Sequence, residues 1–170
     1  MRWYYFLNRK GKRNLIDCEK IDNESLIIAN WFDSKSYTSF ESYIYFYDYM
    51  CEVKEKERCF FEILLPHYRR KPYFDIDMKD IPKGFSLATF IIKIKEVILA
   101  VIEDSSTTIL VFNSHTETKY SYHIVIDGWY LRDNEECEEF FKNVTEKLPD
   151  EYVEYFDESV YKTTQQFRMI

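Results

Sequence analysis

Cysteine is sparse and poorly spaced for metal. The four cysteines, Cys18, Cys51, Cys59 and Cys137, form no Cys-x-x-Cys pair. That excludes the ligand spacing of a zinc site within this chain and leaves reduced thiols in a reducing compartment. Long apolar runs are also missing, and none reaches the roughly 20 residues that a membrane-spanning helix needs. The N-terminus, MRWYYFLNRKGKR, has neither the apolar stretch nor the small-residue cleavage site of a signal peptide. A soluble, intracellular protein without a membrane role is the expectation. Positive charge is in deficit, with 23 Lys and Arg against 30 Asp and Glu and a net charge of −7. A body of that charge argues against indiscriminate nucleic-acid binding. Repeats and low-complexity segments are absent, and glycine occurs three times.

Aromatic residues are abundant, with 15 Tyr and 14 Phe, and 46% of the 170 residues are apolar. That suits one globular domain, or one domain in two lobes, with a sizeable core. The scarce positive charge is grouped: Arg9, Lys10, Lys12 and Arg13 near the start, then Arg69, Arg70 and Lys71. A groove can be locally basic, or made so by bound metal, on an acidic body.

Along the chain, WYYFL (3–7) reads as a strand. The spacing of Tyr37, Phe40, Ile44, Tyr47 and Cys51 predicts a helix over 36–51. EVKEKER (52–58) is a solvated connection, and CFFEILL (59–65) is a strand ended by Pro66. PYFDIDM (72–78) is the next strand. Ser86 caps a helix with the stripe Leu87, Phe90, Ile91, Ile94, Ile98 and Val101. TILVFN (108–113) and YSYHIVID (120–127) follow as strands. Asp133 and Glu136 then open a helix whose face is Cys137, Phe140, Phe141, Val144 and Leu148. The order predicts an α+β chain with a mixed or antiparallel sheet and packed helices. Residues 1–58 form an N-terminal α/β lobe, and 59–170 a core carrying the polar motifs.

Three of these segments hold polar residues where core is expected. In YFDID, Asp75 and Asp77 share one strand face, because residues i and i+2 point the same way. Two adjacent carboxylates repel, and burying them without partners is costly, so a positive partner is required. In KYSYHIVID, Lys119, Ser121 and His123 alternate onto one face; alone, His123 would read as a satisfied core histidine. In FDESVYKTTQQFRMI, Asp157 alone would read as a surface acid or a cap, and Arg168 stands between Phe167 and Met169. Together they supply three carboxylates, an imidazole, a hydroxyl, a lysine and an arginine. That set suits phosphoryl transfer: carboxylates hold divalent cations and basic groups hold a triphosphate.

These residues resemble the archaeo-eukaryotic primases. Members carry an apolar strand with Asp-x-Asp or Asp-x-Glu, then Ser-x-His, then an apolar residue followed by Asp, here YFDID, KYSYH and FD. The pattern is most similar to eukaryotic primase-polymerases and to the primase domains of large DNA viruses, including poxvirus-type primase-helicases. DESVYKTTQQFRM, Lys119 and the strand with Glu62 match as well, so the resemblance runs from Cys59 to the last residue. It implies that Asp75, Asp77 and Asp157 coordinate two Mg2+ or Mn2+ ions. It also implies that Lys119, Ser121, His123 and Arg168 contact the phosphates of a nucleoside triphosphate. A single-stranded DNA template and a fused or separate helicase are the implied partners, and a viral source fits.

The sequence departs from the family at Gln165, where relatives often have arginine, and it stops at Ile170 without the basic stretch that usually follows. Three functions are compatible with this inventory. The first is template-directed nucleotidyl transfer for primer synthesis. The second is a catalytically reduced primase-like domain that binds single-stranded DNA or a replication partner, and the third is a two-metal nuclease or phosphohydrolase. His67 reads as a solvated turn residue and His115 as a loop residue, with a role near a template as the lesser alternative. Trp3, Trp31 and Trp129 read as packing residues.

Overall fold

The computed structural model describes residues 1–22, 25–161 and 164–168. The chain is α+β. In order, its elements are α1 (Leu15–Cys18), β1 (Leu26–Asn30), β2 (Ser36–Phe40), α2 (Tyr43–Glu52), β3 (Phe60–Leu64), β4 (Tyr73–Met78) and α3 (Leu87–Ile102). There follow β5 (Thr108–Asn113), β6 (Tyr120–Asp127), α4 (Asn134–Thr145), α5 (Asp150–Val153) and β7 (Gln165–Arg168). All strand pairs are antiparallel, and they form two sheets rather than one. Among the described residues, no helix is long and apolar enough to cross a membrane. The chain divides into two compact units, Met1–Leu65 with Thr164–Ile170, and Pro66–Thr163.

The first unit is built on a four-stranded sheet in the order β2-β1-β3-β7. β1 is central, and Leu26, Ile27, Ile28 and Ala29 are all buried, so it shows no alternation to mark it as a strand. Ser36–Phe40, expected as the first turns of a helix, pairs with β1 instead, Tyr37 opposite Ala29. The central strand offers SYTSF a ladder of backbone bonds, and its β-branched and aromatic residues suit it. The helix starts only at Tyr43. Of the expected stripe beyond it, Ile44 and Tyr47 are exposed, and α2 turns Phe46 into the core with Phe40 and Phe60. WYYFL contributes a single bridge, Tyr4 to Tyr37.

The second unit is a three-stranded sheet in the order β4-β6-β5. One face carries Phe74, Ile76, Met78, Tyr122, Ile124 and Ile126, all buried. Phe74 packs against Phe140 and Phe141 of α4 and against Phe156, and Phe90 of α3 also reaches Phe156. α3 is capped as expected, Ser86 Oγ accepting from Thr89 N. Its buried positions are Phe90, Ile94, Val97, Ile98 and Ile102, so the stripe lies slightly round the helix from the expected one. Asp133 caps α4 by accepting from Glu136 N at 3.0 Å, and burial pushes the Cys137 thiol up to about 12.

Candidate functional site

The opposite face of the three-stranded sheet is polar. Its geometry follows from register. β4 and β6 pair with Asp75 opposite His123 and Asp77 opposite Ser121, so side chains separated by more than 40 positions become direct cross-strand neighbours. The outer edge of β4 is extended by a short segment before the 3-10 turn Glu158–Tyr161. Phe156 bridges to Ile76, Asp77 N donates to Tyr155 O, and Asp157 N donates to Asp75 O, both at 2.9 Å. Phe156 is buried with Ile76, so its neighbour Asp157 stands on the other side, beside Asp75. One row across the face therefore reads Asp157, Asp75, His123.

The carboxylates differ in environment. Asp75 has only 21% of its side chain exposed, and His123 Nε2 lies 3.4 Å from its Oδ1. That approach is electrostatic, because Oδ1 is buried and accepts no hydrogen bond among the described residues. Burial raises the Asp75 pKa above its ordinary value; His123 opposes this, Asp77 and Asp157 add to it, and Lys119 lowers it again. A buried carboxylate beside like charges favours its neutral form unless a cation arrives. Asp77 is more open and is held by Lys119 Nζ at 2.7 Å. One oxygen of Asp157 accepts from Ser159 N at 2.9 Å, so this residue does act as a turn cap while also facing Asp75.

Lys119 is carried by the hairpin between β5 and β6. Ser114 N donates to Ser121 O and Thr116 N to Lys119 O. His115 sits between the rings of Tyr120 and Tyr122, and its Nδ1 accepts from Ser121 N at 3.3 Å. His115 thus fixes the hairpin that presents Lys119 and Ser121, a role that its place in a polar loop did not suggest.

The basic group before the aspartates is used internally. Arg70 is buried and its Nη1 donates to Asn134 Oδ1 at 3.0 Å. Lys71 pairs with Asp127 at 2.6 Å, and Arg69 lies over the Tyr130 ring. Tyr73 and Tyr161 tie β4 to the 3-10 turn that follows Asp157: Tyr73 OH donates to Val160 O, and Tyr161 OH to Tyr73 O. Burial drives both phenols well above their ordinary pKa. Nothing in the sequence pattern linked these two tyrosines, which are 88 positions apart.

The second unit thus brings together Asp75, Asp77, Asp157, Lys119, Ser121 and His123. Arg168 ends β7 in the first unit, opposite Phe61, and its side chain lies outside the described residues. Among those residues, no group of three or more His, Cys, Asp or Glu is gathered closely enough to hold a metal ion as it stands. What fits a cation is the donor set itself: three carboxylates along one edge, with the buried Asp75 oxygen lacking a donor.

No family model matches the chain. It is 26% identical over 147 residues to a protein of African swine fever virus (isolate Pig/Kenya/KEN-50/1950) named "Putative helicase/primase complex protein". The match covers 74% of this chain and 14% of that relative, so the chain spans about one seventh of the relative's length.

Proposed function

We propose that this chain carries a metal-dependent nucleotidyltransferase site that makes or extends primers in viral-type DNA replication. The observation that carries the reading is the cross-strand row Asp157, Asp75, His123, flanked by Asp77, Ser121 and Lys119, with a buried carboxylate oxygen lacking a donor. Asp75, Asp77 and Asp157 would hold Mg2+ or Mn2+ ions. Such ions supply stabilisation of charge on the attacking and leaving oxygens of an in-line displacement. Lys119 and His123, now against Asp77 and Asp75, are positioned to turn toward phosphate oxygens. Ser121 is placed to donate a hydrogen bond to the same group. Arg168 joins this set by the family resemblance alone. The similarity to a helicase/primase complex protein supports a replication role, with single-stranded DNA, nucleoside triphosphates and a helicase as partners.

A second reading has its own support. Lys119 already neutralises Asp77, and His123 lies against Asp75, as they would in a reduced domain that binds single-stranded DNA without synthesis. Nucleotide incorporation on a single-stranded template separates the two. With Mg2+ or Mn2+, the wild-type chain is expected to incorporate nucleotide. The double substitution Asp75→Asn, Asp77→Asn should lose this by orders of magnitude while remaining folded. An inert wild type that binds DNA as tightly as the double variant would favour the reduced domain.

A further inference from the structure

The polar face continues past His123 onto β5, where its character changes. β5 pairs with β6 so that Phe112 stands opposite His123 and Leu110 opposite Val125. Both β5 side chains point to the same face as Asp75 and His123, because the intervening Ile109 and Val111 pair with the buried Ile126 and Ile124. Phe112 is 39% exposed and Leu110 37%, on the outermost strand of the sheet. No ring or cation partners Phe112 among the described residues, although the unit is rich in ring contacts. A single exposed apolar residue is ordinary. An exposed ring in direct register with the imidazole of a charged site is not explained by packing.

Adjacent strands lie about 4.8 Å apart. Phe112 is therefore one strand from His123 and, counted one strand across and two residues along, roughly 8 Å from Ser121. That is comparable to the span from a nucleotide's phosphate, across the sugar, to its base. An open aromatic face on a sheet offers a stacking platform that tolerates every base, since each has a π-face. We propose that Phe112, with Leu110 and Val125 as its apolar surround, stacks a nucleobase whose phosphates lie against Lys119, Ser121 and His123. This assignment rests on the nucleotide-site reading above and deepens it. The base belongs either to the nucleoside triphosphate or to the single strand.

Calorimetry with three probes tests it, each with Mn2+: deoxyadenosine triphosphate, inorganic triphosphate, and a short oligodeoxyadenylate. Phe112→Leu keeps an apolar β-strand residue and removes the ring; Phe112→Tyr restores it. Stacking is worth enough that Phe112→Leu should weaken the base-bearing ligand on the order of tenfold, leave inorganic triphosphate unchanged, and be rescued by Phe112→Tyr. Loss confined to deoxyadenosine triphosphate assigns the platform to the incoming nucleotide, and loss confined to the oligonucleotide assigns it to the strand. Equal binding of both base-bearing probes by wild type and Phe112→Leu overturns the platform while the phosphate site stands. A wild type that binds inorganic triphosphate no better than Lys119→Met would sink the nucleotide-site reading, and the platform with it.

Discussion

Asp75 concentrates the tension in this site. It is largely buried, with an apolar strand face behind it, Asp157 on one side, an imidazole within 3.4 Å on the other, and Asp77 two residues along the strand. Burial leads the causes that raise its pKa above 3.8. The native state therefore keeps the Asp75 proton at pH values where the unfolded chain has released it. Stability must then fall as pH rises from that unfolded value through the raised native one. In chelator, Asp75→Asn should lack this fall, so its stability advantage over wild type should grow between pH 4 and 8 in urea unfolding. A constant difference would mean that Asp75 is not disfavoured as an anion. Arg168 makes a separate residue-scale case. If it binds phosphate, Arg168→Ala should weaken nucleoside triphosphate binding by about 1.5–3 kcal/mol, as for a hydrogen bond to a charged group, and calorimetry reads this directly. At this scale the sequence was informative wherever period-two alternation decides a side-chain's face, as for Asp75 with Asp77 and Ser121 with His123. It was silent on Lys119 gripping Asp77, because that contact needs the register between two strands.

At the scale of elements, the site is a sheet face backed by the helices that pack behind it. α4 covers Phe74 through Phe140 and Phe141, and its first turn is fixed by Asp133 accepting from Glu136 N. Asp133→Ala should cost about 1 kcal/mol as a lost helix cap, and Asp133→Asn should recover most of it, both read by thermal unfolding. Strands and caps with a local signature were legible: Ser86, Asp133, β4, β5 and β6 lie where their patterns put them. Elements decided by a partner were not. SYTSF carries a helical spacing with Ile44 and Tyr47, yet the ladder offered by β1 outweighs it. Leu26 to Ala29 of β1 are all buried and so show no alternation. The segment at Tyr155–Asp157 joins β4 through one bridge, which no local pattern marks.

Across the whole molecule, the chain makes two antiparallel sheets in two units, and its last strand returns to the first unit beside β3. Long-range pairings of this kind are invisible to periodicity, and a single sheet was the simplest reading of the strand order. The six clustered residues of the second unit come from β4, the hairpin before β6, β6 itself and the turn after α5. The candidate site is thus a property of that unit's topology and not of any one motif. The proposed function requires that the three carboxylates hold divalent cations when nucleotide is present. Electron paramagnetic resonance of Mn2+ titrated into the chain with deoxyadenosine triphosphate measures this most directly. The chain should deplete the free six-line Mn2+ signal beyond nucleotide alone, and Asp75→Asn with Asp77→Asn should abolish the excess. Equal depletion by wild type and the double variant would contradict that function.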